Sequence, residues 1–128
     1  MKNKITLPIY YTIKYKTKKD KQILVWLNFY RNAHYMLSNK IKKHYHQLVA
    51  EQVKNTKYTQ ITLKYKVFIK RKNTDYHNIR SIVEKFFLDA LVENWNIKDD
   101  SFDYVKGDEC EVFLDKEDPR IEILINNK

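Results

Sequence analysis

One cysteine, one glycine and two prolines in 128 residues leave little with which to cross-link, hinge or interrupt this chain. Cys110 has no partner for an internal disulfide, which points to a reducing, cytoplasmic setting. No Gly- or Pro-rich linker, internal repeat or low-complexity tract divides the chain, so residues 1–128 read as one domain. Apolar runs are too short to span a bilayer. The start M-K-N-K leads into an alternating strand rather than an apolar signal segment, so neither membrane anchor nor export signal is expected. Acidic residues are nearly missing from the first 74 positions, where only Asp20 and Glu51 stand against 18 Lys and Arg.

What is present is a core and a strong charge division. A hydrophobic content of 43% excludes a disordered chain. Residues 1–74 carry a net +16 and residues 75–128 a net −7. A basic half joined to an acidic half suggests a surface for a polyanion and a region that holds cations, with nucleic acid as the leading partner.

The periodicities predict an α/β (α+β) domain in the order ββαβαββ, a mixed β-sheet with two helices. Ile5, Leu7, Ile9, Tyr11, Ile13 and Tyr15 alternate with polar residues as one half-buried strand, which Pro8 places partly at an edge. A charged turn at 17–21 leads to Ile23–Leu27, which pairs back. Residues 28–35 lack either period and read as a loop. Ser38 caps a helix to about Val53, with Ile41, Tyr45, Leu48, Val49 and Gln52 or Val53 inward and Lys40, Lys43, His46 and Gln47 outward. Residues 59–71 alternate Ile61, Leu63, Tyr65, Val67 and Ile69 against a basic face. Ile79, Ile82, Val83, Phe86, Phe87, Ala90 and Leu91 form the apolar stripe of a second helix, capped by Thr74 or Asp75 and ended by Asn94, Trp95 and Asn96. A turn at Gly107-Asp108 and a last hairpin, Cys110–Leu114 with Arg120–Ile125, complete the chain.

Asp75, Asp99 and Asp100 are the sharpest chemical candidates. Their hard oxygens suit Mg²⁺ or Mn²⁺, and phosphodiester hydrolysis needs a cation to activate water and absorb charge. The helix between them spans roughly 25–30 Å, so one site requires the chain to fold back after Trp95, and that return is expected. The plainer alternative makes Asp75 a helix cap and D-D-S a turn. Lys85 faces either a bound phosphate or Asp89 one turn on. His34, His44, His46 and His77 suggest no zinc site, because His44 and His46 lie roughly 200° apart around a helix.

Basic and aromatic residues interleave in I-Y-Y-T-I-K-Y-K, N-F-Y-R-N-A-H-Y and K-Y-K-V-F-I-K-R-K, a composition that holds phosphates and stacks on unpaired bases. Tyr11, Tyr15, Tyr45 and Tyr65 are assigned to the core. DNA contact is assigned to Asn28, Tyr30, Arg31, Asn32 and His34 in the loop, with Tyr35 beside them, and to Lys64, Lys66, Lys70, Arg71 and Lys72 along the basic strand and its exit.

Taken together, Asp75, Asn78, Lys85, Asp89-Ala90-Leu91 and Asp99-Asp100, with Asn28, Tyr30 and Arg31 near the start, resemble the RusA family of Holliday junction resolvases. The resemblance covers about residues 5–125. His77 stands where the family has its second aspartate, and four extra residues separate Asn78 from Lys85, with Ser81 in the nearer position. Asp99, Asp103 or Asn78 compensates for the missing carboxylate, or activity is weakened or lost. The resemblance implies a cytoplasmic homodimer, phage- or prophage-encoded, that resolves four-way DNA junctions by paired nicks in recombination and repair. It implies Mg²⁺, with Mn²⁺ as a substitute, and no small-molecule cofactor. It makes Asp75, Asp99 and Asp100 the metal ligands and Lys85 the phosphate-facing cation. Two rivals remain: a non-catalytic DNA-binding or inhibitory protein on the same scaffold, and a single-strand binder that stacks bases on its tyrosines.

Overall fold

A computed structural model describes residues 2–127. The elements run β1 (Lys2–Pro8), β2 (Tyr10–Ile13), β3 (Lys21–Leu24), α1 (Leu27–Asn32), α2 (Tyr35–Val53), β4 (Ile61–Ile69), α3 (Tyr76–Glu93), β5 (Val105–Leu114) and β6 (Arg120–Asn127). The class is α+β as the periodicities predict, with three helices rather than two. A four-stranded mixed sheet has the order β1, β6, β4, β5, and β2 pairs with β3 in a separate hairpin. Only β4 and β5 run parallel.

One face of the sheet carries Ile5 and Leu7, then Ile61, Leu63, Tyr65, Val67 and Ile69 of β4, and Ile121, Ile123 and Ile125, all buried. Against it pack Ile41, Tyr45, Val49 and Val53 of α2 and the whole predicted stripe of α3. Burial of each large apolar side chain contributes about 1.5–3 kcal/mol, so these stripes hold both helices in place. Tyr45 also donates to the Pro8 carbonyl, and Gln52 exchanges hydrogen bonds with the Thr6 backbone, which ties α2 to β1. Lys64, Lys66 and Phe68 of β4, Glu111 and Phe113 of β5, and Arg120 and Glu122 of β6 alternate onto the opposite, solvent-facing side.

Several expectations need correction. The strand over 5–16 is two strands in different sheets. After Pro8, which has no N–H to donate, the Ile9 carbonyl accepts from Val25 and β2 turns away to pair with β3. Residues 28–35 are not a loop, because six of the residues from Leu27 on form α1, too short to display a period. The second helix starts at Tyr35, where His34 rather than Ser38 supplies the cap: its Nδ1 accepts from the Met36 N–H at 3.2 Å. Gly107 and Asp108 lie within β5 rather than in a turn. Nor do β5 and β6 form a hairpin, since β4 lies between them. Turn residues at 116–119 mark a reversal of direction, not the identity of the strand's partner.

The β4–α3–β5 unit decides where the carboxylates fall. Ile61 faces Val105 and Ile69 faces Leu114, so α3 must return over the length of the sheet. Asp75 therefore follows the Ile69 end, while residues 94–104 lead into the Ile61 end. No helix among the described residues is long and apolar enough to cross a membrane.

Candidate nucleic-acid interface and carboxylate sites

At the Ile69 end of the sheet, β2 and the first half of α2 flank a cleft of about 520 Å³ lined by Pro8, Tyr10, Tyr11, Thr12, Ile13, Lys14, Leu37, Lys40 and His44. No acidic side chain lines it. Tyr11 is half-buried and meets the edge of His44, ring centroids 5.5 Å apart, which fixes both rings in the wall. Lys14 and Lys40 form no ion pair with a described residue. Lys16, Lys18, Lys19 and Lys21 extend the charge along the exposed hairpin, and Lys18 lies 4.3 Å over the Tyr15 ring. A second cleft, about 320 Å³, brings Tyr10 and Gln22 together with Lys70 and Lys116 and with Glu117 and Asp118, so the exit of β4 adjoins the hairpin in a setting of mixed charge. Arg71 and Lys72 are exposed there. A surface of this kind can hold phosphates on cations and offers aromatic faces beside them.

The sequence assigned DNA contact in part to residues outside these clefts. Lys64 is bound to Glu111 at 2.6 Å, and this pair raises the lysine's pKa and lowers the carboxyl's. Lys66 lies beside Glu111 and Glu122 in the strand register, so the β4 face is a balanced charge ladder. Tyr30 is half-buried and packs edge-on against Phe86 at 5.3 Å. Asn32 bonds back to Asn28, and His34 caps α2 against Tyr35. Of that group Arg31 and Tyr35 are exposed without a side-chain hydrogen bond or ion pair to a described residue. Tyr45 and Tyr65 are core as expected, while Tyr15 is 37% exposed. His46 is not outward: its side chain is 15% exposed and its Nδ1 lies 2.8 Å from Glu93.

Asp75 and the Asp99-Asp100 pair do not meet within one chain. They sit beyond opposite ends of α3, whose 18 residues span about 27 Å. Asp75 is occupied as the N-cap, its Oδ1 accepting from the Asn78 N–H at 3.4 Å and its Oδ2 from Asn78 Nδ2 at 2.8 Å. Asp99 accepts from the Asp100 N–H at 2.9 Å in a local turn. Lys85 pairs with Asp89 at 3.1 Å rather than facing either carboxylate. Among the described residues no group of three or more His, Cys, Asp or Glu side chains is placed to hold a metal ion. Three hard oxygen donors suit Mg²⁺ by type, but within a single chain they do not fit it.

One charged cluster escaped the sequence. Arg80 donates to Asp108 at 2.7 Å, faces Glu84 at 3.4 Å and lies over the Tyr65 ring at 4.7 Å, between α3 and the sheet. Burial works against the charge on Arg80, but its carboxylate partners win and its pKa rises; burial also pushes up the Tyr65 phenol and the Cys110 thiol. The cluster ties β5 to α3 through the Arg80–Asp108 pair. Its only sequence signal is the i to i+4 spacing of Arg80 and Glu84. The cleft residues had a clearer signal in I-Y-Y-T-I-K-Y-K, yet no pattern links β2 to α2. Comparison of the sequence with protein-family models and with curated proteins found no match to either.

Proposed function

We propose that this chain is a cytoplasmic DNA-binding protein of the branched-DNA endonuclease type, which holds four-way junctions on its basic end and nicks them as a homodimer. The observation that carries the reading is the cleft between β2 and α2, walled by Tyr10, Tyr11 and His44, with Lys14 and Lys40 and no carboxylate. The resemblance of Asp75, Lys85, Asp89-Ala90-Leu91 and Asp99-Asp100 to the RusA pattern supplies the cleavage half. Because one protomer keeps its two sets of carboxylates apart, a Mg²⁺ site is formed only between copies. A two-fold axis that lays two α3 units antiparallel sets Asp75 of each copy toward Asp99 and Asp100 of the other. Two equivalent sites result, and a four-way junction requires two symmetric cuts.

A non-catalytic DNA-binding protein is the second reading. It is favoured by His77 in place of a carboxylate and by the engagement of Asp75 as a cap and Lys85 with Asp89. Nicking of a labelled four-way junction with Mg²⁺ or Mn²⁺ separates the two. Paired, metal-dependent nicks that disappear in Asp100→Asn, with junction binding kept, are expected. Binding without nicks under both metals selects the second reading. Failure to bind the junction contradicts both.

A further inference from the structure

The end of α3 is built around a residue that does not suit it. Asn96 donates its backbone N–H to Leu91 at 2.8 Å and Trp95 donates to Val92 at 3.1 Å, the paired bonds of a Schellman ending. In that motif the residue after the cap adopts the left-handed conformation and is usually glycine. Here it is Trp95, at φ 62°, with 75% of its surface exposed. A bulky ring thus occupies a strained position where it gains almost no burial.

The loop holds it there rigidly. Asn96 is 1% exposed, and its side chain donates to the Lys54 and Thr56 carbonyls at 3.1 and 2.7 Å while accepting from Asn94 at 2.9 Å. Asn94 adds a bond to the Lys54 carbonyl, and Lys57 Nζ donates to the Trp95 carbonyl at 2.8 Å. Phe102, further along the same loop, is 76% exposed, and Lys106 lies 4.3 Å over its face. Lys54 and Lys98 add cations that pair with no described carboxylate. Strain kept by a fully satisfied frame, with an aromatic face delivered to solvent among lysines, is the arrangement that stacks on a base.

We propose that Trp95 is a stacking platform for an unpaired nucleobase, with Lys54, Lys57 and Lys98 facing the adjoining backbone. This rests on the DNA-binding reading and not on cleavage. Asp99, Asp100 and Asp103 in the same loop disfavour phosphate contact alone, so the ring carries the recognition, and unpaired bases are preferred to duplex.

Trp26 and Trp95 are the only tryptophans. The full chain carrying Trp26→Phe therefore reports Trp95 alone. Its emission is expected to be quenched by saturating oligothymidine and by a four-way junction with unpaired bases at the crossover, and not by a blunt duplex. Trp95→Gly is expected to weaken binding of the first two about tenfold, as loss of one stacked base does, while leaving duplex binding unchanged and raising the melting temperature. Trp95→Phe retains most of the affinity. Unquenched emission with DNA bound, or wild-type affinity in Trp95→Gly, overturns the proposal. Quenching without nicking leaves this inference standing and removes only the nuclease reading; absence of all DNA binding removes both.

Discussion

Asp75 and Trp95 close α3 in opposite ways. The Asp75 carboxylate satisfies the Asn78 N–H that no helical carbonyl reaches, a contribution of about 1 kcal/mol. Asn keeps that bond and Ala does not. Urea denaturation should find Asp75→Ala less stable by about 1 kcal/mol and Asp75→Asn nearly unchanged, so lost activity in Asp75→Asn reports chemistry and not folding. Trp95 pays for its left-handed backbone instead, at about 1–2 kcal/mol. Tyr30, assigned by sequence to DNA, packs on Phe86. Tyr30→Ala should therefore lower stability, by about 1–3 kcal/mol as a part-buried ring, and leave DNA affinity within about twofold, below the effect of one phosphate contact; unfolding and binding curves on the same sample decide it. Asp115 accepts from the Asp118 and Glu117 N–H groups and from Arg120, which hold its carboxyl below the usual range. A lowered folded pKa makes its contribution present above the ordinary carboxyl range and lost as pH falls through the lowered value. Melting temperature against pH should accordingly show a smaller acid-side fall in Asp115→Asn than in wild type.

Elements whose partner lies next in sequence, or whose apolar stripe is long, were legible in advance. The stripe of α3 is buried residue for residue, as is the inward face of β4, while on α2 Ile41, Tyr45, Val49 and Val53 are buried and Leu48 only half-buried. α1 was not, since six residues show no period, and neither was the place of β6 between β1 and β4. Alternation states which face of a strand is apolar and is silent about its neighbours. The expected return of the chain after Trp95 failed for the same reason: the parallel pairing of β4 with β5 fixes the ends of α3 at opposite ends of the sheet. The cleft was half legible, its tyrosines and lysines visible in I-Y-Y-T-I-K-Y-K and its α2 wall invisible. The bracing of α3 onto the α2 exit rests on Asn96, a buried side chain that donates to the Lys54 and Thr56 carbonyls. Asn96→Ala leaves both without that donor and should cost about 2 kcal/mol or more. Hydrogen exchange should show residues 54–58 opening faster, while the β4 amides remain protected.

At the scale of the whole molecule, the candidate carboxylates separate along the sheet. Asp75 stands at the Ile69 end with Lys14, Lys40, Lys70, Arg71 and Lys72, and Asp99, Asp100 and Trp95 stand at the Ile61 end beside Lys54 and Lys98. A DNA partner held at the basic end should be lost steeply with salt. Removing Lys14 and Lys40 together should reduce the slope of log affinity against log salt by about two, as for two lost phosphate contacts; an unchanged slope in a titration by anisotropy places the DNA elsewhere. On the proposed reading, the same separation would make cleavage depend on two copies. The most direct test mixes two inactive variants, Asp75→Asn and Asp100→Asn, refolded together at equal concentration and assayed on a labelled four-way junction with Mg²⁺. In a mixed dimer with sites shared between copies, one site loses both carboxylates and the other keeps both, so nicking on one strand should return while each variant alone stays inactive. If the mixture is as inactive as its components although wild type nicks the junction, the sites are not shared and the two-copy account fails.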